Sequence, residues 1–118
     1  MTFDAYDVVV VPFPFTDRST SKRRPALVLS DREVFSEAVG QSVLAMITSQ
    51  SNAPWPLDVP IGDQDAAGLP APSKVRMKLF TLDHLLILRK AGRLAAPDER
   101  KVRTTLARLL RLSAPHQP

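Results

Sequence analysis

The chain contains no cysteine, only four glycines and only two histidines among its 118 residues. Without cysteine there is no disulfide framework, no thiolate zinc site and no thiol nucleophile, so several classes of enzyme are excluded. Four glycines leave little room for a nucleotide-binding fingerprint, and no G-x-S-x-G, G-x-x-x-x-G-K or H-E-x-x-H motif is present. We therefore expect any catalysis to proceed without a metal ion and without a bound nucleotide cofactor.

Long apolar runs are missing as well. The longest one, at residues 8–15, contains prolines and is far too short to span a bilayer, and the start MTFDAYD lacks the basic region of a secretory signal. These features predict a soluble cytoplasmic protein that makes no membrane contact. A chain of this length, with 44% hydrophobic residues, is expected to form a single domain at residues 1–112, followed by a flexible tail at residues 113–118.

The net charge of +4 is distributed unevenly along the chain. Residues 31–72 contain one basic and six acidic groups, whereas residues 73–94 contain six basic groups and one acidic group. The basic part of the chain is suited to a polyanion such as a nucleic acid. The total charge is too small to establish such a partner.

Short apolar runs separated by prolines, of which there are eleven, favour β-strands joined by irregular loops. Strands are predicted at residues 8–13, 26–30, 43–49 and 75–82. The apolar run at residues 85–88, which leads into residues 89–93, is a candidate for the last strand. Residues 57–61 are a weaker candidate because they include Pro60.

The C-terminal segment has a helical period. Pro97, Asp98 and Glu99 are typical of a helix start, and apolar residues then recur at helical spacing at Val102, Leu106, Leu109 and Leu110. A helix is therefore predicted over residues 98–112. Strands followed by one helix predict a mainly β fold, in which a C-terminal α-helix packs against a strongly bent sheet or partly open barrel.

Three consecutive cations end the polar segment at residues 17–25, which is expected to be a loop. Lys22, Arg23 and Arg24 lie within reach of one phosphate group, and a guanidinium matches phosphate oxygens in bidentate geometry. The alternative is a solvated basic loop that keeps the neighbouring strands soluble.

Further candidates lie on or beside the later strands. The Thr48 hydroxyl, at a strand end, bonds either a phosphate or its own backbone, and Trp55, the only tryptophan, either stacks a base or anchors its loop. Lys74, Arg76 and Lys78 alternate along one predicted strand and so share a face. That face meets either an anionic ligand or water.

Histidine chemistry is not expected. His84 is interpreted as a turn residue, and His116 falls in the predicted tail. A mechanism with paired histidines as acid and base is therefore disfavoured.

Four blocks of sequence carry a family resemblance. They are YDVVVVPFPFTD at residues 6–17, KRRPALVLS at 22–30, AMITS at 45–49, and PSKVRMKLFTLD at 72–83, which is followed by GRL at 92–94. In this order and spacing the chain resembles the MazF/PemK-like ribonuclease toxins of bacterial type II toxin–antitoxin pairs. The RPALVLS and ITS motifs are specific in combination rather than singly.

The resemblance implies a small SH3-like β-barrel of the MazF/CcdB plasmid-toxin type with a C-terminal helix, acting as a homodimer. It implies an endoribonuclease without metal or cofactor that cleaves single-stranded RNA, such as mRNA, through attack of the ribose 2′-OH, and that is neutralised by a cognate antitoxin protein. The products would carry 2′,3′-cyclic phosphate and 5′-OH ends.

The same resemblance assigns roles to individual residues. Arg24 and Thr48 match the catalytic pair of the family, and Arg76 matches an arginine often placed at the RNA site. Some members carry an acidic residue two positions later, where this chain has Lys78, so no general base is assigned. Arg76 joins the candidates taken from the residues themselves, and the expected RNA-binding residues are Lys22, Arg23, Ser49, Trp55, Lys74, Arg76 and Lys78.

Two other functions are compatible with the same fold. A non-enzymatic toxin like the CcdB-type gyrase poisons would act through an aromatic C-terminal end, but residues 113–118, SAPHQP, contain no aromatic ring of that kind. A plain SH3-like binding module would give no reason for Arg24 and Thr48 to occur in the toxin's pattern.

Overall fold

The computed structural model describes residues 2–13 and 22–112. In this part of the chain one antiparallel sheet contains every strand. The strands are β1 (Asp7–Phe13), β2 (Lys22–Val28), β3 (Gln41–Ser49), β4 (Val59–Pro60), β5 (Ser73–Asp83) and β6 (Arg89–Arg93). Their order across the sheet is β4-β5-β3-β2-β1-β6, so β2 and β3 lie at its centre.

Helical segments connect the strands and end the fold. A π-helical turn (Arg32–Ser36) continues into the short α1 (Glu37–Val39), a 3-10 turn (His84–Leu86) follows β5, and α2 spans Ala96–Leu110. The helix predicted at residues 98–112 is therefore present, two residues closer to the N-terminus. None of the helices in the described ranges is both long and apolar enough to cross a membrane.

The apolar core consists of two clusters that divide the alternate residues of the central strands. In β1, Val8 belongs to one cluster, whereas Val9 and Val11 belong to the other. Because successive side chains of a strand point to opposite faces, the sheet is covered on both sides. Val102 of α2 packs into the first cluster, which fixes the C-terminal helix against one face of the bent sheet.

A buried carboxylate also fixes the position of α2. Asp98, in the first turn of the helix, accepts hydrogen bonds from the backbone N–H groups of Gly62 and Asp63, both at 2.9 Å. The segment that follows β4 is thereby joined to the helix. The sequence prediction of a mainly β fold, a small SH3-like barrel with a C-terminal helix, is confirmed in this arrangement of strands and helix.

Two local predictions differ from the structure. Residues 85–88 do not form a strand: the Asp83 carboxylate accepts the Leu85 N–H at 2.8 Å and starts the 3-10 turn, which leaves Leu85 92% exposed. The last strand is β6, at the neighbouring residues. Of the polar loop predicted at residues 17–25, the part at 17–21 lies outside the described residues, and residues 22–25 belong to β2.

Candidate active site

The central strands β2 and β3 separate at a proline. They pair as far as Ala26, which lies opposite Met46. Just beyond β2, the Leu29 N–H points towards β3 and donates to the Val43 carbonyl at 2.8 Å. Because the direction of the N–H groups alternates along a strand, the backbone groups of odd-numbered β2 residues point towards β3, as those of Leu29 do. Pro25 occupies such a position but has no N–H to donate. The pairing therefore ends at this point and a gap opens.

Arg24 and Thr48 lie on the two sides of this gap. Continuing the β2–β3 register by two residues sets Arg24 opposite Thr48, and opposed residues of antiparallel strands carry their side chains on the same face. The exposed Arg24 guanidinium lies 5.7 Å from the centroid of the Phe13 ring, within cation–π distance. The half-buried Thr48 accepts a hydrogen bond from the side-chain amide of Asn52.

One cleft contains both residues, and we call it the Arg24–Thr48 cleft. It has a volume of about 170 Å³ and is lined by Arg24, Pro25, residues 47–49 and residues 69–73. Ser49 is therefore part of it, and its hydroxyl lies 2.9 Å from that of Ser51. The structure thus brings together three of the residues that the sequence predicted, Arg24, Thr48 and Ser49.

The wall at residues 69–73 depends on a glycine. Gly68, immediately before this wall, has a left-handed φ of +70°, and a Cβ there would overlap the backbone carbonyl of Ala91 in β6. Only glycine fits this close approach without a shift of the backbone. The proline-rich wall of the cleft is therefore held at a fixed distance from β6.

Loop 50–58, the residues between β3 and β4, is joined to β5 by a buried cluster of charges. The Asp58 carboxylate lies 3.2 Å from the Lys74 ammonium and 3.1 Å from the Arg76 Nη2, and its other oxygen accepts from Arg76 Nε at 3.2 Å. The side chains of Asp58, Lys74 and Arg76, the ion triad, are only 12%, 9% and 15% exposed. Their charges therefore interact mainly with one another.

The cations of the triad also hold the backbone of loop 50–58. Lys74 Nζ donates to the Asn52 carbonyl at 2.8 Å, and Arg76 Nη2 donates to the Ala53 carbonyl at 2.7 Å. Lys74 is in addition the β5 residue directly opposite Thr48 in the β3–β5 register. The loop is thus fixed immediately beside the Arg24–Thr48 cleft.

Trp55 lies between two cations. The centroid of its ring is 5.6 Å from the Arg76 guanidinium carbon and 5.2 Å from Lys78 Nζ, while 41% of the residue remains exposed. Its backbone N–H donates to the Asp58 carboxylate at 3.0 Å. Trp55 is therefore held in place, as expected for a residue that anchors its loop. Its ring is also partly open to solvent, as stacking on a base would require.

The three cations of β5 do not form one uniform row. A bulge lies between Arg76, which is opposite Met46, and Leu79, which is opposite Ala45, so the register of β5 shifts in this interval. Arg76 and Lys78 nevertheless contact the same Trp55 ring. Lys74 is buried, Arg76 is half-buried and Lys78 is exposed. The sequence predicted either an anionic ligand or water beside these cations. For Lys74 and Arg76, the anion is Asp58 of the same chain.

Lys22 and Arg23 do not line the Arg24–Thr48 cleft. Both are exposed on β2, but an extended strand directs the Arg23 side chain to the opposite face from Lys22 and Arg24. Arg23 lines a neighbouring cleft together with Arg24, Pro25, Arg89 and residues 68–70. Contact of one phosphate group with all three cations stays a prediction, and the cleft that Arg23 and Arg24 share does not include Lys22.

Two residues of this region, Asp58 and Asn52, are not predicted by the sequence. Asn52 lies in a stretch interpreted only as a loop, and Asp58 lies in the weak strand candidate at residues 57–61, of which Val59–Pro60 form β4. Nothing in the local sequence pairs Asp58 with β5. One feature of the sequence could have indicated the pair. Asp58 is the only carboxylate at residues 49–60, and residues 73–94 contain six basic groups but one acidic group. The interpretation of His84 as a turn residue is confirmed, since it begins the 3-10 turn and contacts the Ser42 hydroxyl at 2.8 Å.

Electrostatics favour the ionised form of Asp58. Burial alone would raise the pKa of this carboxyl, but hydrogen bonds from the Arg76 guanidinium, the Trp55 backbone N–H and the Lys74 ammonium outweigh it. The pKa of Asp58 therefore lies below its ordinary value of 3.8. Within the described ranges no three His, Asp or Glu side chains converge as ligands for a metal ion.

Comparison with known proteins places the fold among bacterial toxins. The model of the PemK-like, MazF-like toxins of type II toxin–antitoxin systems matches residues 4–110, and the chain therefore belongs to this family. No curated protein matches the sequence. The expected SH3-like barrel of the MazF/CcdB toxin type is thus confirmed at the level of the family.

Solved structures with the same fold include three toxins. A mycobacterial endoribonuclease in complex with its cognate antitoxin has a TM-score of 0.75 at 19% identity, over 96% of this chain and 99% of that chain. A MazE–MazF structure from Deinococcus radiodurans has a TM-score of 0.75 at 23% identity, over 96% and 100%. The Mycobacterium tuberculosis toxin MazF-mt6 has a TM-score of 0.71 at 23% identity, over 92% and 99%.

Proposed function

We propose that this toxin is an endoribonuclease that cleaves single-stranded RNA, such as mRNA, without a metal ion or cofactor. The ribose 2′ oxygen forms a bond to the adjacent phosphorus, and the bond from phosphorus to the 5′ oxygen breaks. The 2′-OH proton goes to a base, and the departing 5′ oxygen gains a proton. The products carry 2′,3′-cyclic phosphate and 5′-OH ends.

One observation carries the proposal. Arg24 and Thr48, far apart in the chain, border the same gap beyond the last β2–β3 pair and line one cleft. They are the two positions that the toxin sequence pattern predicts as the catalytic pair. A solvated basic strand would not require a hydroxyl opposite the arginine.

The chemistry of the two side chains suits this reaction. The Arg24 guanidinium is permanently charged, and its N–H groups stabilise the negative charge that develops on the phosphorane. The Thr48 oxygen already accepts from Asn52, so its own O–H is available to donate to a non-bridging phosphate oxygen. A dependence on the ribose 2′-OH would also discriminate against DNA.

The general base is not assigned to a carboxylate. Asp58 is bound by Lys74 and Arg76 and its pKa is lowered, which makes it a poor proton acceptor at neutral pH. Lys78 stands where some family members have an acid. An arginine is an equally poor base because it holds its proton at neutral pH.

The remaining candidates are proposed to bind the RNA strand outside the reacting phosphate. Ser49 belongs to the Arg24–Thr48 cleft, and Arg23 lines the adjacent one. Trp55 offers an exposed ring for stacking a base. The exposed Lys22 and Lys78 are proposed to contact phosphates. Lys74 and Arg76, which are paired with Asp58, are proposed to attract the RNA strand through the positive charge of this region.

We propose that a cognate antitoxin inhibits the toxin in the cytoplasm. Two of the similar structures are described as a mycobacterial endoribonuclease with its cognate antitoxin and as MazE–MazF. An acidic segment of an antitoxin would compete with RNA for the basic region at residues 73–94, which carries six basic groups and one acidic group.

The test is cleavage of defined single-stranded RNAs by the purified protein in excess EDTA. Each RNA is matched by a DNA strand and by a 2′-O-methyl strand of the same sequence, and the fragment ends are identified by mass. Cyclic phosphate ends from RNA alone are expected. Failure to cut RNAs of varied sequence would contradict the proposal and favour a binding module or a gyrase poison.

A further inference from the structure

The ion triad lies in a position that links loop 50–58 to the Arg24–Thr48 cleft. Asp58 contacts Lys74 and Arg76 at one end of the loop. At the other end, the Asn52 carbonyl accepts from Lys74, and the Asn52 side-chain amide donates to the Thr48 hydroxyl. An unbroken series of polar contacts therefore runs from Asp58 to Thr48.

The loop requires such external contacts because its own backbone is strained. Leu57 has a φ of +66°, a left-handed conformation that is unfavourable for a branched side chain. Such a conformation persists only where the surroundings determine it. Here the neighbouring Asp58 accepts the Trp55 N–H at 3.0 Å, and the Asp58 N–H donates to the Trp55 carbonyl at 3.1 Å.

Because Asp58 is largely buried, water cannot easily take over the contacts that its carboxylate makes with Lys74 and Arg76. The side chain of Asp58 is only 12% exposed, and within the described residues its carboxylate is the counter-ion of both Lys74 and Arg76. Removing its charge would leave two cations without that partner in a partly desolvated site. The expected consequence is that these cations move towards solvent and release the Asn52 and Ala53 carbonyls.

We propose that Asp58 is a positioning residue of the active site: through Lys74 and Arg76 it fixes loop 50–58, so that Asn52 orients the Thr48 hydroxyl and Trp55 presents its ring beside the cleft. This inference rests on the proposed RNA cleavage for its catalytic part. The fixed geometry of the loop does not depend on it.

Orientation of Thr48 is the chemical purpose of the contact. A hydroxyl rotates freely unless a donor occupies its oxygen. The Asn52 amide supplies that donor, so the Thr48 hydrogen is directed away from Asn52 and is available to a ligand in the cleft that Thr48 lines. A hydroxyl held in this way makes its hydrogen bond to phosphate without a loss of rotational freedom during the reaction.

The experiment compares Asp58→Asn with Asp65→Asn, a matched control. Both changes remove one negative charge, but Asp65 is exposed and lies outside the triad. The chain has one tryptophan, so the emission maximum and the iodide quenching of the protein report on Trp55 alone. Asp58→Asn is expected to increase quenching and shift the emission, whereas Asp65→Asn leaves both unchanged.

Cleavage kinetics provide the second measurement. In Asp58→Asn, kcat should fall about 10- to 100-fold, as expected for a displaced catalytic group, while KM is not raised because two cations become available to phosphate. Asp58→Glu, which restores the charge on a longer side chain, should recover part of kcat. Wild-type kcat together with wild-type quenching in Asp58→Asn would overturn the proposal. An unchanged kcat with a lower KM and a steeper salt dependence of KM would overturn it as well.

Asn52→Ala keeps the inference testable if Asp58→Asn fails to fold. Asn52 is exposed, and this change leaves the triad intact. It should lower kcat with little effect on Trp55 quenching, and an unchanged kcat would contradict the role given to Asn52. If wild-type protein cleaves no RNA, the proposed function fails, but the quenching comparison still decides whether Asp58 fixes the loop.

Discussion

At the scale of single residues, the chemistry of the site depends on a few positions that differ from their neighbours by one property. Pro25 lacks an N–H, and the gap between β2 and β3 begins at this residue. Arg24 contributes a permanent charge, and Thr48 contributes a hydroxyl on the same face. The site therefore arises from a missing backbone hydrogen bond as much as from the side chains that it exposes.

Thr48→Val tests the hydroxyl without changing the side-chain shape. Cleavage should fall about 10- to 100-fold, because a hydrogen bond to a charged group contributes roughly 1.5–3 kcal/mol. The free energy of unfolding, measured in urea, should change by less than ~1 kcal/mol, since the residue is only half-buried. Thr81→Val, at an exposed position of β5, is the control. Equal rates for the two variants would remove Thr48 from the mechanism.

At the scale of elements, the two segments beside the cleft are held by different means. Residues 69–73 depend on the close packing of Gly68 against β6. Loop 50–58 depends on the charges of Asp58, Lys74 and Arg76. The first segment should therefore respond to steric substitutions, and the second to pH.

A comparison of Gly40 and Gly68, which have the same φ of +70°, distinguishes the cost of backbone strain from the cost of steric overlap. Gly40 has no atom within 4 Å of a hypothetical Cβ, whereas Gly68 would overlap the Ala91 carbonyl. Gly40→Ala should lower the free energy of unfolding by about 1–2 kcal/mol, and Gly68→Ala by at least ~2 kcal/mol more. Urea denaturation followed by circular dichroism measures both values. Similar losses would show that the packing at Gly68 is not essential.

The pH dependence of loop 50–58 follows from the lowered pKa of Asp58. A carboxyl with a lower pKa in the folded state stabilises the fold fully above its ordinary pKa of 3.8. This stabilisation is lost as the pH falls through the folded pKa. Trp55 fluorescence should thus be constant from about pH 8 to pH 5 and change only below about pH 4. A transition between pH 5 and pH 7 that is absent in Asp58→Asn would contradict this assignment.

The sequence predicts the elements that have a clear period and misses those that do not. The β-branched run of β1 and the spacing of Val102 and Leu106 in α2 predict a strand and a helix without knowledge of the rest of the fold. The π-helical turn and α1 have no such pattern, because Val34, Phe35 and Val39 are exposed rather than buried on one face. The leucines of residues 85–88 were misleading for the same reason.

The candidate site is predictable only in part. Arg24 and Thr48 can be found because they lie in sequence motifs beside strands. Their juxtaposition depends on the β2–β3 register, and the role of Asp58 depends on a contact with β5 across 16 and 18 positions of the chain. Such long-range pairing is set by the assembled sheet, which no local spacing encodes.

At the scale of the whole molecule, the family resemblance implies a homodimer, which we propose to form through an apolar end of the sheet. Leu85 is 92% and Val34 is 82% exposed. Their turns are connected, since the His84 N–H donates to the Gly40 carbonyl at 3.0 Å. Together the two turns present large apolar side chains to solvent, a feature typical of an association surface.

Leu85→Asp tests this surface. A charge at the centre of an apolar contact should weaken dimerisation at least about tenfold, corresponding to ~1.4 kcal/mol, and shift the sedimentation coefficient towards the monomer. Leu110→Asp, at the exposed end of α2, should leave association unchanged. A wild-type monomer, or a Leu85→Asp dimer of wild-type affinity, would contradict this assignment.

The central claim is that the Arg24–Thr48 cleft cleaves RNA, and the initial rate of cleavage in Arg24→Ala, measured beside Arg23→Ala in excess EDTA, tests it most directly. The two variants lose the same charge from adjacent positions of β2. We expect Arg24→Ala to be at least ~10²-fold slower than wild type. Arg23→Ala should lose less than about tenfold, the effect of one exposed phosphate contact. Wild-type cleavage by a folded Arg24→Ala variant would contradict the account.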